Sequence, residues 1–103
     1  MDGVKGHLDL LVLAVLRNGA AHGYAVIEQL RLRSDGTFDL AEGVVYPLLH
    51  KLEDEGLLSS SWTTHEGRKR RVYAITRRGR SALQKQERAW RTFTGAVQAV
   101  LES

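Results

Sequence analysis

Cysteine is absent from this chain of 103 residues, and proline occurs once. Without cysteine the chain can form neither disulfide bonds nor thiolate metal sites, and it has no cysteine nucleophile. The longest apolar run, residues 10–16, has seven residues, far fewer than the roughly 20 that span a membrane. The first nine residues, MDGVKGHLD, lack the basic-then-apolar layout of a signal peptide. These absences predict a cytoplasmic protein with no membrane segment.

Enzyme signatures are also missing. A chain of 103 residues has room for one domain and a small core, and hardly for a deep catalytic cavity as well. No HExxH, GxSxG or glycine-rich phosphate loop occurs. The acids Asp9, Glu28 and Glu42 fall on different predicted helices with no paired spacing. The sequence therefore predicts a protein that is not an enzyme and that uses no cofactor.

Positive charge is concentrated in one segment. Residues 66–80 contain seven Lys or Arg and one acid, whereas the rest of the chain has eight basic and eleven acidic residues. A basic patch on a slightly acidic body indicates a polyanion partner at one surface. The alternative is a solvated, charged strand and helix start.

Three short helices are predicted in the first half of the chain. The first covers residues 8–16, is apolar almost all round, and ends at Arg17-Asn18-Gly19. The second begins at His22-Gly23-Tyr24 and runs to about Arg33, with an inner stripe of Tyr24, Val26, Ile27 and Leu30. The third follows Phe38-Asp39-Leu40, where Asp39 and Glu42 have the spacing of a capping box, and ends near Gly56. Its buried stripe is predicted to be Val45, Leu48, Leu49 and Leu52.

A hairpin and a long helix complete the predicted organisation. Residues 58–63 and 70–75 suit two strands around a turn at 64–68. Thr76 is a good N-cap for a helix over about 77–101. Apolar residues repeat every seven positions along that helix, which is typical of a coiled-coil seam. We interpret it as a dimerisation arm; the alternative is a helix folded back on the core.

The fold class predicted from this order is mainly α with a small β-hairpin. Residues 1–75 would form a winged helix-turn-helix DNA-binding region, and residues 76–103 a long C-terminal dimerisation helix of the same structural domain. In that layout the third helix enters the major groove and the hairpin is the wing.

Four segments of the chain, in this order and spacing, resemble the PadR family of bacterial transcriptional regulators: LDLLVLAVL, HGYAVIEQL, GVVYPLLHKLEDEGLL and EGRKRRVYAITRRGRSAL. The resemblance covers roughly Leu8 to Leu83, and the last helix has the length of the short-tailed members. It implies a dimer that binds operator DNA and usually represses. Val44 departs from the family pattern, which often has a small hydroxyl residue there, and so does the acidic Glu42.

Candidate DNA-binding residues follow from the resemblance and from the charge pattern. They are Gly43, Tyr46, His50 and Lys51 on the third helix, His22 and Tyr24 at the start of the second, and Arg68, Lys69, Arg70 and Arg71 on the wing. Alternatives are open for several of them. Tyr24 could be a core residue and His50 an ordinary surface histidine. Arg70 or Arg71 could pair with Glu53 or Glu55, and Glu42 could either cap its helix or accept from a cytosine amino group.

Candidate dimer residues lie on the seam of the last helix. They are Leu83, Gln86, Trp90, Phe93, Val97 and Val100, with residue 12 (Val12) of the first helix as a partner surface. Aromatic residues at the dimer interface of some PadR-like regulators line a pocket for planar effectors, so a small aromatic effector is one interpretation, and plain packing is the other. The partners predicted are double-stranded operator DNA and a second copy of the chain.

Two further classes compete with a DNA-binding regulator. A zinc sensor could draw ligands from His65 and Glu66 or from His7 and Asp9, although no ligand spacing supports it and no metal site is predicted. A winged helix that binds only proteins would tolerate charge reversal at Arg68 and Lys69.

Overall fold

The first described helix packs against most of the rest of the chain. A computed structural model of the protein describes residues 7–103. Two predictions concern residues 1–6 and lie outside the described residues: the absence of a signal peptide and the start of the DNA-binding region. The elements, numbered in chain order, are α1 (Leu8–Leu16), β1 (Ala21–His22), α2 (Gly23–Arg33), α3 (Glu42–Asp54), β2 (Leu58–His65), β3 (Arg68–Ile75) and α4 (Arg77–Glu102).

One apolar core lies among α1, α2, α3 and the sheet. Val12 and Leu13 of α1 are fully buried, and the core residues that join them are Leu8, Val15, Leu16, Val26, Leu30, Val45, Leu48, Leu49, Leu52, Leu58, Tyr73 and Leu83. Helix α1 contributes from more than one of its faces, as its nearly continuous apolar sequence predicts. The buried stripe of α3 is the predicted one. In α2, however, Tyr24 is 61% exposed and does not belong to the inner stripe.

Helix α3 begins differently from the prediction. Its N-cap is Ala41, which makes no side-chain capping hydrogen bond. Glu42 is the first helical residue rather than the third, so the capping box with Asp39 is wrong. The D-x-x-E spacing matched, but the backbone enters the helix three residues after Asp39.

The hairpin is longer than predicted because its turn is shorter. Strands β2 and β3 pair antiparallel from Leu58 opposite Ile75 to His65 opposite Arg68. Only Glu66 and Gly67 remain in the turn, both with positive φ (52° and 76°), as a two-residue hairpin turn of this hand requires. A two-residue strand, β1, pairs with β3 and completes a sheet in the order β1-β3-β2. It was not predicted, since two residues are too few to show alternation.

Helix α4 carries the chain away from the core. Thr76 caps it as predicted: its Oγ1 accepts from the N–H of Gly79 at 3.0 Å and donates to the carbonyl of Gly56 at 2.7 Å. The helix has 26 residues, a length of about 39 Å, and the described chain measures 58 × 28 × 22 Å. None of the helices within residues 7–103 is long and apolar enough to cross a membrane.

Candidate nucleic-acid interface

An open groove lies between the start of α2, the outer side of α3 and the hairpin. It brings together seven of the ten residues predicted from sequence to contact DNA, His22, Tyr24, Tyr46, His50, Lys69, Arg70 and Arg71, with Gly23, Trp62 and Tyr73. Arg68, at the start of β3, lies in a neighbouring depression with His65, Glu66 and Lys69. Gly43 is exposed on α3 outside the groove lining. We refer to the groove and this depression together as the basic groove.

Tyrosine side chains connect α2 to α3 at one end of the basic groove. The Tyr46 ring lies so close to Gly23 that a Cβ atom there would stand 2.5–2.6 Å from it. Tyr24 meets Tyr46 edge to face, with ring centroids 6.4 Å apart. A hydrogen bond to Glu42, with the negative charge of that carboxylate, raises the pKa of Tyr24. Burial first, and then Glu42, raise the pKa of Tyr46. Both phenols therefore stay protonated at neutral pH and can donate hydrogen bonds.

Arg71 fastens the hairpin to α3. Its Nη2 lies 3.1 Å from Glu53 Oε1, and its Nε donates to Ser60 Oγ at 2.8 Å. Ser60 in turn donates to the other Glu53 oxygen at 2.5 Å. The sequence leaves open whether Arg71 contacts DNA or pairs with an acidic residue of the fold. The ion pair with Glu53 is present. Its guanidinium also lies 5.6 Å from the centre of the Trp62 ring, within cation–π range.

Alternation along β3 divides the four basic wing residues between two faces of the hairpin. Lys69 and Arg71 share the face that carries Trp62, the register partner of Arg71. Arg68 and Arg70 alternate with them and belong to the other face.

Arg70 packs against His22 at the edge of the sheet. Its Nη1 lies 3.0 Å from Nδ1 and 3.1 Å from Nε2 of the His22 ring. Burial, followed by the positive charges of Arg70 and His65, lowers the pKa of His22 below 6.5. The ring is therefore neutral at pH 7, beside a permanently charged guanidinium.

Three cations of the basic groove have no acidic partner within residues 7–103. The ion pairs formed there include neither Arg68, Lys69 nor Arg70. Arg68 and Lys69 are exposed, and Arg70 is half-buried. Cations left uncompensated on a projecting hairpin suit an external anion.

Two of the predicted residues on α3 have different surroundings. His50 is exposed, and its ring centroid lies 6.5 Å from that of Tyr73, inside the basic groove. Lys51 does not line the groove. Its Nζ pairs with Asp9 of α1 at 3.1 Å and with Glu55 at 4.0 Å, and the hydrogen bond to Asp9 raises the pKa of Lys51. Lys51 therefore fastens α3 to α1.

Sequence reasoning missed Trp62 as a functional candidate. Its side chain is 65% exposed, although a tryptophan of this size is usually mostly covered. Its place on β2 is consistent with an ordinary strand residue, and only the register opposite Arg71 shows that it faces the groove. Counting back from the turn in a two-residue hairpin would have placed it there.

The predicted dimer seam divides into a covered and an exposed part. Val12 is fully buried and Leu83 is 2% exposed. Both belong to the core of their own chain, so their assignment to a partner surface is wrong. Gln86 is half-buried. Beyond it the seam is open to solvent, with exposed fractions of 38% at Trp90, 59% at Phe93, 41% at Val97 and 74% at Val100.

A cavity of about 270 Å³ lies between the start of α1 and the middle of α4. It is lined by His7, Asp9, Leu10, Gln86, Ala89, Trp90 and Phe93. The His7 and Trp90 rings meet edge to face with centroids 4.5 Å apart. The aromatic walls and the size suit a small planar molecule or a side chain from another copy.

No cluster of three or more metal-ligating side chains is found within residues 7–103. His65 and Glu66, considered from the sequence as zinc ligands, form an exposed pair at 3.7 Å on the hairpin turn. His7, the other histidine considered, packs on Trp90.

Comparison with known proteins places the chain in a family of regulators. The family model described as the transcriptional regulator PadR-like family matches residues 12–85. The transcriptional regulator Rv3488 of Mycobacterium tuberculosis (strain ATCC 25618 / H37Rv) is 38% identical over 80 residues, which cover 78% of this chain and 72% of that protein.

Solved structures show the same fold. A PadR-like transcriptional regulator from Bacillus cereus strain ATCC 14579 has a TM-score of 0.87 at 25% identity, covering 100% of this chain and 99% of the other. Bacillus subtilis PadR in complex with operator DNA has a TM-score of 0.71 at 25% identity, covering 77% of this chain and 45% of that one. These relatives are regulators and not enzymes, which confirms that expectation from the sequence. The chain belongs to the PadR-like family of transcriptional regulators.

Proposed function

We propose that this protein is a homodimeric, cytoplasmic repressor that binds operator DNA with α3 in the major groove and the β2–β3 hairpin on the adjacent backbone. The observation that carries the proposal is the row of uncompensated cations on the hairpin, Arg68, Lys69 and Arg70. Two of them, Lys69 and Arg70, line the groove together with Tyr46 and His50 of α3. Such an arrangement joins charge for phosphates to hydrogen-bonding side chains for base edges.

The chemistry of the basic groove suits a duplex. Lys69 and Arg68 project at the hairpin tip, where they can neutralise phosphates or enter a minor groove. The protonated phenols of Tyr24 and Tyr46 and the ring of His50 can donate to phosphate or base atoms. The operator DNA bound by Bacillus subtilis PadR supports the same ligand class for this chain.

A second copy would cover the outer part of α4. Trp90, Phe93, Val97 and Val100 form an apolar seam at heptad spacing that the chain itself leaves open. Two copies joined along this seam would present two α3 helices to successive major grooves about 34 Å apart. Repression is proposed because the PadR family, which the chain resembles, usually represses.

An effector would act through the cavity at Trp90 and Phe93. Because the cavity lies where α4 leaves the core, a planar aromatic molecule bound there would change the angle of α4. The spacing of the two α3 helices, and hence operator affinity, would change with it.

Paired lysine substitutions test DNA binding by the hairpin. Lys69→Ala should weaken binding to any duplex. The slope of log Kd against log salt concentration should fall by about one, the value of a single phosphate contact. Lys85→Ala removes the same charge from an exposed position on α4 and should leave both quantities unchanged. Equal effects of the two substitutions, or no effect of either, would contradict a DNA-binding role for the hairpin.

A second pair of substitutions tests the dimer. Trp90→Ala should shift the mass measured by analytical ultracentrifugation at micromolar concentration towards the monomer. Arg88→Ala, on the opposite side of α4, should leave the dimer intact. An unchanged mass for Trp90→Ala would place the interface elsewhere.

A further inference from the structure

Helix α3 has an unusual set of side chains for a helix that reads bases. Its sequence, EGVVYPLLHKLED, contains no Arg, Asn, Gln, Ser or Thr. Arg or Lys usually reads guanine, and Asn or Gln usually reads adenine, each through paired hydrogen bonds. The one lysine of α3, Lys51, is held by Asp9 at 3.1 Å. The helix therefore has no side chain that can make the common bidentate contacts.

The exposed start of α3 offers apolar surface instead. Val44 is 42% exposed, and Pro47, one turn later on the same side, is exposed as well. Neither belongs to the buried stripe of α3, which is Val45, Leu48, Leu49 and Leu52. In helix-turn-helix proteins the first turns of the recognition helix contact base edges. Two exposed positions in those turns therefore carry only methyl and methylene groups.

Gly43 lets this surface approach a groove closely. The space beside it is open, since a Cβ built there would meet no atom within 4 Å. Glu42, which precedes it, raises the pKa of Tyr24 and so lies near that phenol. The first turn of α3 therefore presents a bare backbone at residue 43 and the exposed isopropyl group of Val44.

One base carries a matching apolar group in the major groove: thymine, through its C5 methyl. We infer that Val44, with Pro47 beside it, reads a thymine methyl group in each operator half-site. This inference rests on the proposed function. It assigns to α3 an apolar contact that acts beside the hydrogen bonds of Tyr46 and His50, and leaves the charged phosphate contacts to the hairpin.

Deoxyuridine gives a direct test, because it removes the methyl group and keeps every hydrogen-bonding atom of thymine. A duplex would first be selected by the wild-type protein from a pool of random 24-base-pair duplexes. Each thymine of the selected duplex is then replaced singly by deoxyuridine, and Kd is measured by fluorescence anisotropy. At one thymine per half-site we expect about a fourfold loss of affinity, the effect of one buried methyl group.

Two substitutions at position 44 connect that loss to the side chain. Val44→Ala removes both γ-methyl groups, so it should weaken binding to the thymine duplex. For this variant the ratio of Kd for the deoxyuridine duplex to Kd for the thymine duplex should be close to one. Val44→Thr has nearly the same shape and keeps one methyl group, so its ratio should stay above one. Circular dichroism melting checks that both variants are folded.

The outcomes separate the inference from the proposed function. If deoxyuridine has no effect at any thymine while the selected duplex still binds more tightly than a scrambled one, or if Val44→Ala keeps the full ratio, methyl reading by Val44 is wrong and the proposed function stands. If the selection yields no duplex that binds better than a scrambled one, the proposed function fails, and the inference fails with it.

Discussion

The end of the Tyr46 ring lies over the backbone of Gly23, at a separation that leaves no room for a Cβ atom on residue 23. The contact joins the first residue of α2 to the outer side of α3. It sets how far the Tyr46 hydroxyl projects into the basic groove, and glycine is the residue that permits it.

Gly23→Ala should therefore displace the Tyr46 ring. Because only the far end of that side chain must move, we expect a small change in Tm but about a tenfold loss of affinity for specific DNA, the scale of one well-made contact. Anisotropy titration and thermal melting measure the two effects. Tyr46→Phe, which keeps the ring and removes the hydroxyl, shows how much of the loss belongs to the hydroxyl. A Gly23→Ala protein with wild-type affinity would show that the position of Tyr46 is unimportant.

Substituting alanine for each of two glycines in α4 should change the stability of the protein in opposite directions. A Cβ on Gly79 would collide with the backbone carbonyl of Leu57, whereas a Cβ on Gly95 would meet nothing within 4 Å. Gly95→Ala should stabilise the protein by up to about 1 kcal/mol through helix propensity. Gly79→Ala should destabilise it by more than that, since a fixed backbone cannot yield. Chemical denaturation measures both, and the same sign for the two changes would contradict the packing at Gly79.

The ion pair of Arg71 with Glu53 should be measurable as a coupling. Both side chains are partly covered, at 39% and 25% exposed, so we expect a coupling free energy of about 1 kcal/mol, at the upper end for surface pairs. A double-mutant cycle with Arg71→Ala and Glu53→Ala, measured by urea unfolding, gives this value. A parallel cycle of Arg91→Ala and Glu87→Ala, whose pair is at 3.4 Å with Arg91 76% exposed, should give less. Additive losses at positions 71 and 53 would show that the pair does not hold the hairpin.

Stability should fall on mild acidification because of His22. Burial and the neighbouring charges of Arg70 and His65 lower the pKa of His22 in the folded chain. The folded protein then binds fewer protons at this ring than the unfolded protein does. The corresponding stability is complete above a pH of about 6.5 and is lost as the pH falls towards the lowered pKa.

Melting temperatures of wild type and His22→Gln at several pH values between about 7.5 and 5.5 test this linkage. The wild type should lose more stability across that range than the variant, which has no titrating group at position 22. Parallel losses would show that the His22 ring titrates normally.

The sequence was most informative where periodicity or a single strong residue decides the structure. The apolar residues of α1, the stripe of α3 and the Thr76 cap were all predicted, and the fold class followed from the order of elements. The pairing of Arg71 with Glu53 is one of the alternatives that the sequence leaves open for Arg70 and Arg71.

The errors share a physical cause. The predicted inner stripe of α2 with Tyr24 and the predicted capping box at Asp39 are both wrong. Spacing alone does not tell which side of a short helix meets its neighbour, or where the backbone enters the helix. Leu83 belongs to the heptad pattern, yet the chain's own core covers it, since the pattern continues through the point where α4 leaves the domain. The side of the hairpin on which Trp62 lies depends on the register of the two strands. A turn of two residues sets that register, whereas the sequence predicts a turn of five residues.

The basic groove is proposed to bind DNA sequence-specifically as part of a dimer. A titration of the protein against labelled DNA from upstream of its own gene, beside a scrambled duplex and at several salt concentrations, tests this. We expect two chains per duplex, with tighter binding to the upstream DNA than to the scrambled duplex, and a smaller share of that binding lost as salt rises. Equally weak and equally salt-dependent binding to both duplexes would contradict it.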